Sequence, residues 1–224
     1  MANDTLETAE FRRGPGGRPT RAEAERRHRA LLETAACLFL DRGLDAVSLD
    51  EIARRAGVAK RFIYARYSDK SGLFAAAFEH RFADRLETLH AFEPPRCPAD
   101  KGLFQLGRQL LDVGLQPDLI ALHRLFVTAA PRFPGLARLF IDRYRYRATQ
   151  DIERVLRFYA DRGEIELRHP QMMAEQFFIS TVGIPQRLAL LGLREAPDQE
   201  NRRLRVAIRL FIDGCRAQRP SVQG

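Results

Sequence analysis

Residues 48–73 read SLDEIARRAGVAKRFIYARYSDKSGL, which describes a helix, a tight turn and a second short helix. Ser48 followed by Glu51 predicts a capping box, in which each side chain satisfies an orphan backbone donor at the helix start. Ile52, Ala53 and Ala56 then form one apolar face, with small residues where two helices must approach closely. Gly57 can take the left-handed conformation that ends the helix and turns the chain. Val58 and Ile63 supply the inward anchors of the next helix, while Lys60, Arg61, Arg66 and Lys70 stay outside. Two helices joined by a Gly-containing turn, with cations on the second, is the layout of a DNA-reading helix-turn-helix. An ordinary helical hairpin with a solvated basic face is the competing reading.

The charge distribution favours the first of these. The 224-residue chain carries a formal +8, which suits a polyanionic partner. Arg12, Arg13, Arg18, Arg21, Arg26, Arg27 and Arg29 face only Glu23 and Glu25, and the six cations of residues 54–70 face only Asp69, so each stretch carries +5. Other classes find little support. Cys37, Cys97 and Cys215 are widely spaced with no CxxC pair, and the five histidines form no HxxxH pattern. That argues against a disulfide framework or a metal site, for a reducing compartment, and no cofactor is expected. No apolar run approaches the ~18 residues of a membrane span, and no apolar signal core opens the chain, so a cytoplasmic protein is expected. No Gly-rich phosphate loop, nucleophile elbow or paired-carboxylate site is readable, which disfavours an enzyme.

The same window resembles the N-terminal domain of the tetracycline-repressor (TetR) family, whose usual string runs IA-x-x-AGVS-K-G-T-L-Y-x-Y-F-x-S-K-x-x-L. Ile52-Ala53, Ala56-Gly57-Val58, Lys60, Ile63-Tyr64, Tyr67, Lys70 and Leu73 stand at matching positions. Ala59, Arg61 and Phe62 depart from it, where the family usually has Ser, Gly and Thr. Those departures lie on the face expected to meet DNA, so the fold carries over and an operator sequence does not. The resemblance implies a homodimeric transcriptional regulator, most often a repressor released from a palindromic operator by a small-molecule effector. A sequence-tolerant architectural DNA binder without a sensor is the alternative.

Outside the window the pattern is helical throughout, and the fold class is all-α: an N-terminal three-helix DNA-binding domain plus a larger C-terminal helical ligand-binding and dimerisation domain. Residues 1–19, rich in Gly, Pro and Arg, read as a flexible basic arm. Residues 20–80 form the DNA-binding domain, 81–217 the second domain, and 218–224 a tail. Thr20 and Glu23 form another capping box that starts a helix ended by Gly43. Asp69 caps a long helix with Phe74, Phe78, Phe82, Leu86 and Leu89 on one face, stopped by Pro94-Pro95. Further helices are expected over 118–130, from beyond Pro134 to about Gly163, over 170–192 with a kink at Pro185, and over 198–214.

The candidate DNA-binding residues are Arg18, Arg21, Ser48, Lys60, Arg61, Phe62, Tyr64, Arg66, Tyr67 and Lys70. Ser48, Tyr64, Arg66 and Lys70 are types that hold phosphates, and the resemblance implies that role for Tyr64 and Lys70. Lys60, Arg61 and Phe62 open the recognition helix, where an Arg can bond guanine bidentately and a Phe can pack on a thymine methyl. Gly17-Arg18-Pro19 resembles a minor-groove hook, with a disordered arm of general attraction as the other reading. The last two helical stretches carry apolar stripes suited to a dimer interface: Phe177, Ile184 and Leu188, then Leu204, Ile208, Phe211 and Cys215; burial within one subunit is the competing account. A small-molecule pocket would draw on Phe104, His123, Arg124, Phe126, Arg132, Tyr144 and Phe177, although apolar walls with a few polar groups also describe any helical core.

Overall fold

The computed structural model describes residues 20–133 and 146–215, with Gly135 and Arg138 between them. Arg18, Tyr144, the arm, the tail and the start of the helix expected after Pro134 lie outside the described residues. Among the described residues every regular element is helical. The chain separates into two compact units, Met1–Arg81 and Phe82–Gly224.

The first unit begins with α1, Arg21–Ala46, whose capping box is complete: Thr20 Oγ1 accepts from the Glu23 N–H at 3.3 Å, and Glu23 returns a carboxylate oxygen to the Thr20 N–H at 2.9 Å. Gly43, at φ 79°, breaks the helical path before the final residues. Next come α2, Leu49–Arg55, and α3, Lys60–Tyr64, joined through Gly57 at φ 64°. The fourth helix, α4, spans Lys70–His90, and Asp69 caps it by accepting from the Gly72 N–H at 2.8 Å. Leu31, Ala35, Phe39, Ile52, Ile63, Phe74 and Phe78 are fully buried here. Phe74 packs on Phe39 and on Phe78, with ring centroids 5.4 and 4.4 Å apart. The Phe82 and Leu86 side chains lie outside the described set.

One local expectation fails. Ser48 Oγ accepts from the Glu51 N–H at 3.1 Å, but the Glu51 carboxylate pairs with Arg42 and, at 3.2 Å, with Arg55. A carboxylate with two guanidinium groups in reach makes charge-assisted bonds in preference to one neutral amide contact. Ser48 therefore caps α2 alone.

The second unit contains α5, Ala99–Gly114; α6, Pro117–Ala129; α7, Tyr146–Asp161; α8, Pro170–Phe178; α9, Ile184–Leu190; and α10, Pro197–Gly214. Its core gathers Leu103, Leu106 and Leu110 of α5, Ile152, Leu156 and Tyr159 of α7, Phe177 of α8, and Leu204 and Ile208 of α10. Gly107 lets α10 approach α5, since a Cβ there would lie 2.7 Å from Leu204 Cδ1. The C-terminal end of α4, from Phe82 on, belongs to this unit, where Gln109 reaches Thr88 O at 2.7 Å and Arg154 reaches His90 O at 3.0 Å and, just past the helix, Phe92 O at 2.7 Å.

The helix expected over 170–192 is a composite. A π turn, Ile179–Gly183, stands between α8 and α9, and α9 ends at Leu190. Pro185 is the second residue of α9, and a proline both lacks an N–H and crowds the carbonyl four residues back, here that of Thr181 inside the π turn. The widened turn absorbs this without a break, because dihedrals at its flanks stay helical. The buried Thr181 hydroxyl donates to Phe177 O at 2.7 Å, giving that carbonyl a partner within the turn.

Candidate nucleic-acid interface

Burial of Ile63 seats α3 against its unit and leaves Lys60, Arg61, Tyr64 and Arg66 exposed along one short segment. The exposed cations differ in what already holds them. Lys60 Nζ lies 2.7 Å from Asp50 Oδ1, and the carboxylate raises the pKa of the ammonium. Arg66 stacks over the half-buried Phe62 ring, its guanidinium carbon 3.8 Å from the centroid. The Arg61 guanidinium has no partner among the described residues.

Other predicted contacts are partly engaged. Lys70 Nζ donates to Val47 O at 3.0 Å and is half-buried. Ser48 spends its hydroxyl on the α2 cap, and Arg21 pairs with Glu25 at 3.0 Å at the start of α1. Tyr67 Oη lies 2.6 Å from His28 Nε2, with the two rings stacked 6.2 Å apart. Burial raises the Tyr67 pKa; burial, then Arg66 and His80, lower that of His28. A neutral imidazole accepting the phenol proton fits both shifts. His28 and Asp50 were not foreseen as parts of this surface. No periodic signal connects His28 to a tyrosine 39 residues away, or Asp50 to a lysine across a turn.

The residues expected to line an effector pocket are placed differently from one another. Phe126 and Phe177 are buried in the interior. Phe104 lies beneath the Arg205 guanidinium, 5.3 Å from its ring centroid, in an open groove between α5 and α10. Arg124 donates to Leu190 O at 3.0 Å, and Arg132 is exposed. His123 is half-buried; burial lowers its pKa, against the opposing pull of a Gln186 hydrogen bond.

The expected dimer stripe divides in two. Phe177, Leu204, Ile208 and Cys215 point into their own subunit, with Leu204 only 1% and Ile208 3% exposed. They therefore do not present the interface proposed for them on sequence grounds. Phe211 and Leu188 are half-buried, and Phe211 packs edge-on against Phe177 at 5.3 Å. Among the apolar side chains left outward on α9 and α10 are Ile184, 47% exposed, and Val206 and Leu210, at 59% and 69%. Together with Gln176, Ser180 and Arg202 these three line one open groove running between α8–α9 and α10. Among the described residues no cluster of three His, Cys, Asp or Glu side chains could hold a metal, and no helix is long and apolar enough to cross a membrane.

Comparison with known proteins agrees with this geometry. Residues 31–77 match the model of bacterial regulatory proteins of the tetR family, and residues 101–214 match the C-terminal domain of AefR-like transcriptional repressors. The HTH-type transcriptional regulator YdeS of Bacillus subtilis is 41% identical over 70 residues, which is 31% of this chain and 34% of that protein. The HTH-type transcriptional activator FasR of Mycolicibacterium smegmatis is 40% identical over 89 residues, 38% of this chain and 40% of its own. The chain thus spans well under half the length of either relative. Among solved structures, the flavonoid-responsive regulator FrrA superposes with a TM-score of 0.72 at 26% identity, covering 87% of this chain and all of that one.

Proposed function

Because the chain belongs to the tetracycline-repressor (TetR) family of helix-turn-helix transcriptional regulators, we propose that it is a homodimeric repressor that leaves a palindromic operator when a small organic molecule binds its C-terminal unit. The observation that carries the reading is the surface of α3: an unpartnered Arg61 beside exposed Tyr64, on a helix seated by buried Ile63. Arg61 stands near the N-terminal end of α3, where side chains meet base edges, and its fork matches the O6 and N7 acceptors of guanine. Tyr64, Arg66 and Lys70 hold phosphates on either side. Lys60, already paired with Asp50, contributes less than its position suggests.

One five-residue helix reads few base pairs, so selectivity calls for two copies related by a twofold axis. The outward Ile184, Val206 and Leu210 provide a self-complementary apolar patch for that association. An organic effector accords with the full-length likeness to a flavonoid-responsive regulator, and repression accords with the C-terminal repressor model. Release follows if the effector favours a setting of α4 other than the one that fits the operator, in proportion to its differential affinity.

Selection of bound duplexes from a random pool tests the reading. It should enrich a palindrome whose half-sites lie about one helical turn apart, with a guanine at one symmetric pair of positions. The selected duplex should bind ~10³-fold or more tightly than random DNA. A pool without enrichment, or a protein that sediments as a monomer while bound, would overturn it.

A further inference from the structure

From the stack of Arg66 on Phe62 we infer that Phe62 is a positioning residue, which holds the Arg66 guanidinium ready for a DNA phosphate and does not itself read a base. This rests on the reading that α3 meets DNA. The guanidinium carbon lies over the ring, 3.8 Å from its centroid, which is van der Waals contact and well inside cation–π range. Stacking occupies the faces of a guanidinium and leaves its in-plane N–H donors free at the edge.

The nature of the partner carries the inference. A carboxylate would hold the side chain equally well, but it would cancel the charge that a phosphate needs, as Asp50 does for Lys60. An aromatic face fixes the cation and leaves its charge intact. No carboxylate pairs with Arg66 among the described residues. Arg66 also follows α3, its N–H bonding back to Ile63 O at 3.0 Å. That places it at the C-terminal end of the recognition helix, away from the end whose side chains meet base edges. Phe62, covered on one face by Arg66, has that face closed to a thymine methyl.

The experiment compares wild type, F62L, F62Y, R66A, R66K and F62L/R66A for binding to the pool-selected duplex and to single-base variants of it, with melting curves alongside. Leucine keeps apolar bulk for packing or for a methyl contact and removes the aromatic face; tyrosine restores the face. F62L should weaken binding to every duplex by about three- to fivefold, F62Y should bind as wild type, and F62L/R66A should bind no more weakly than R66A. R66K keeps the charge but not the planar group that packs on Phe62, so it should bind more weakly than wild type. Should F62L fail to fold, F62M takes its place in the same comparison, since it too keeps apolar bulk without an aromatic face. Additive losses for F62L and R66A, a changed preference at one base position in F62L, or wild-type binding by R66K would each overturn the inference. Failure of the wild type to bind any selected duplex would instead sink the underlying reading of α3.

Discussion

Tyr159 occupies the space that a side chain on Gly102 would need: a Cβ at residue 102 would lie 1.7 Å from the Tyr159 hydroxyl and 2.6 Å from the adjacent ring carbon. The phenol passes over α5 to donate to Pro95 O at 3.0 Å, and burial first, then the neighbouring Cys97, push its pKa up to about 12. Glycine is required here by close approach, since Gly102 lies inside α5. Alanine gains helix propensity worth up to ~1 kcal/mol. It must also displace a ring that is fully buried and hydrogen-bonded. Gly102→Ala should therefore destabilise the second unit by about 1–3 kcal/mol net, the usual cost of overpacking a filled core. Urea denaturation provides the measurement, and a midpoint equal to wild type would mean the ring moves aside freely.

The His28–Tyr67 pair makes a pH prediction for the first unit. His28 has a folded pKa below its ordinary 6.5, chiefly because it is buried, with Arg66 and His80 adding to the effect. The unfolded chain then takes up the proton first as pH falls, so stability is full above about 6.5 and is lost as pH drops from there toward the folded value. His28→Gln, which keeps a hydrogen-bonding group opposite Tyr67, should flatten that decline between about pH 7 and pH 5. His123, lowered by burial in the second unit, should leave a residual slope there. Thermal melts across this range check both, and a steeper loss in the glutamine variant would reverse the assignment.

The features legible in the sequence were those encoded locally. Thr20 with Glu23, Ser48, Gly57 and Asp69 each act within four residues of their partners, and each takes its expected place. What escaped was the choice between two apolar faces of one helix. Along α10, Leu204 and Ile208 recur at helical spacing, but so do Val206 and Leu210. Periodicity identifies stripes without saying which faces the core. The answer lies in α5, where Gly107 admits the Leu204 side chain. At the candidate site the exposed cations were legible as cations. Their different holders, Asp50 for Lys60 and Phe62 for Arg66, depend on geometry.

Glu200 is a second feature that no spacing announced. It is a buried carboxylate, 3.4 Å from Arg108 of α5 and 3.3 Å from Arg194. Arg108 also bonds Asp112 at 2.8 Å and Asn201 at 3.1 Å, which ties α5 to the start of α10. Losing the buried member leaves two cations that can reach water, whereas losing Arg108 leaves a buried carboxylate with a single partner. Arg108→Ala should therefore cost the most, about 2–3 kcal/mol, and Glu200→Ala somewhat less. The exposed Arg194 should cost under about 1 kcal/mol on replacement by alanine. Equal effects in the three denaturation midpoints would show that the buried carboxylate is not the centre of the network.

Leu204 and Leu210 lie six residues apart on α10, one buried and one outward, so the same substitution should have opposite consequences. Leu204→Ala opens a cavity against Gly107 and should cost about 2–5 kcal/mol within a single subunit, whatever the oligomeric state. Leu210→Glu touches no core contact. In the proposed dimer it sets a carboxylate in the apolar patch shared with Val206 and Ile184, with its symmetry mate nearby. Sedimentation should find this variant monomeric and still helical, with a melting temperature that no longer rises with protein concentration. Its affinity for the palindromic duplex should fall toward that for a single half-site. A Leu210→Glu protein that remained dimeric with unchanged affinity would move the interface to another face, while a Leu204→Ala protein that lost only dimerisation would return it to the stripe first suggested by periodicity.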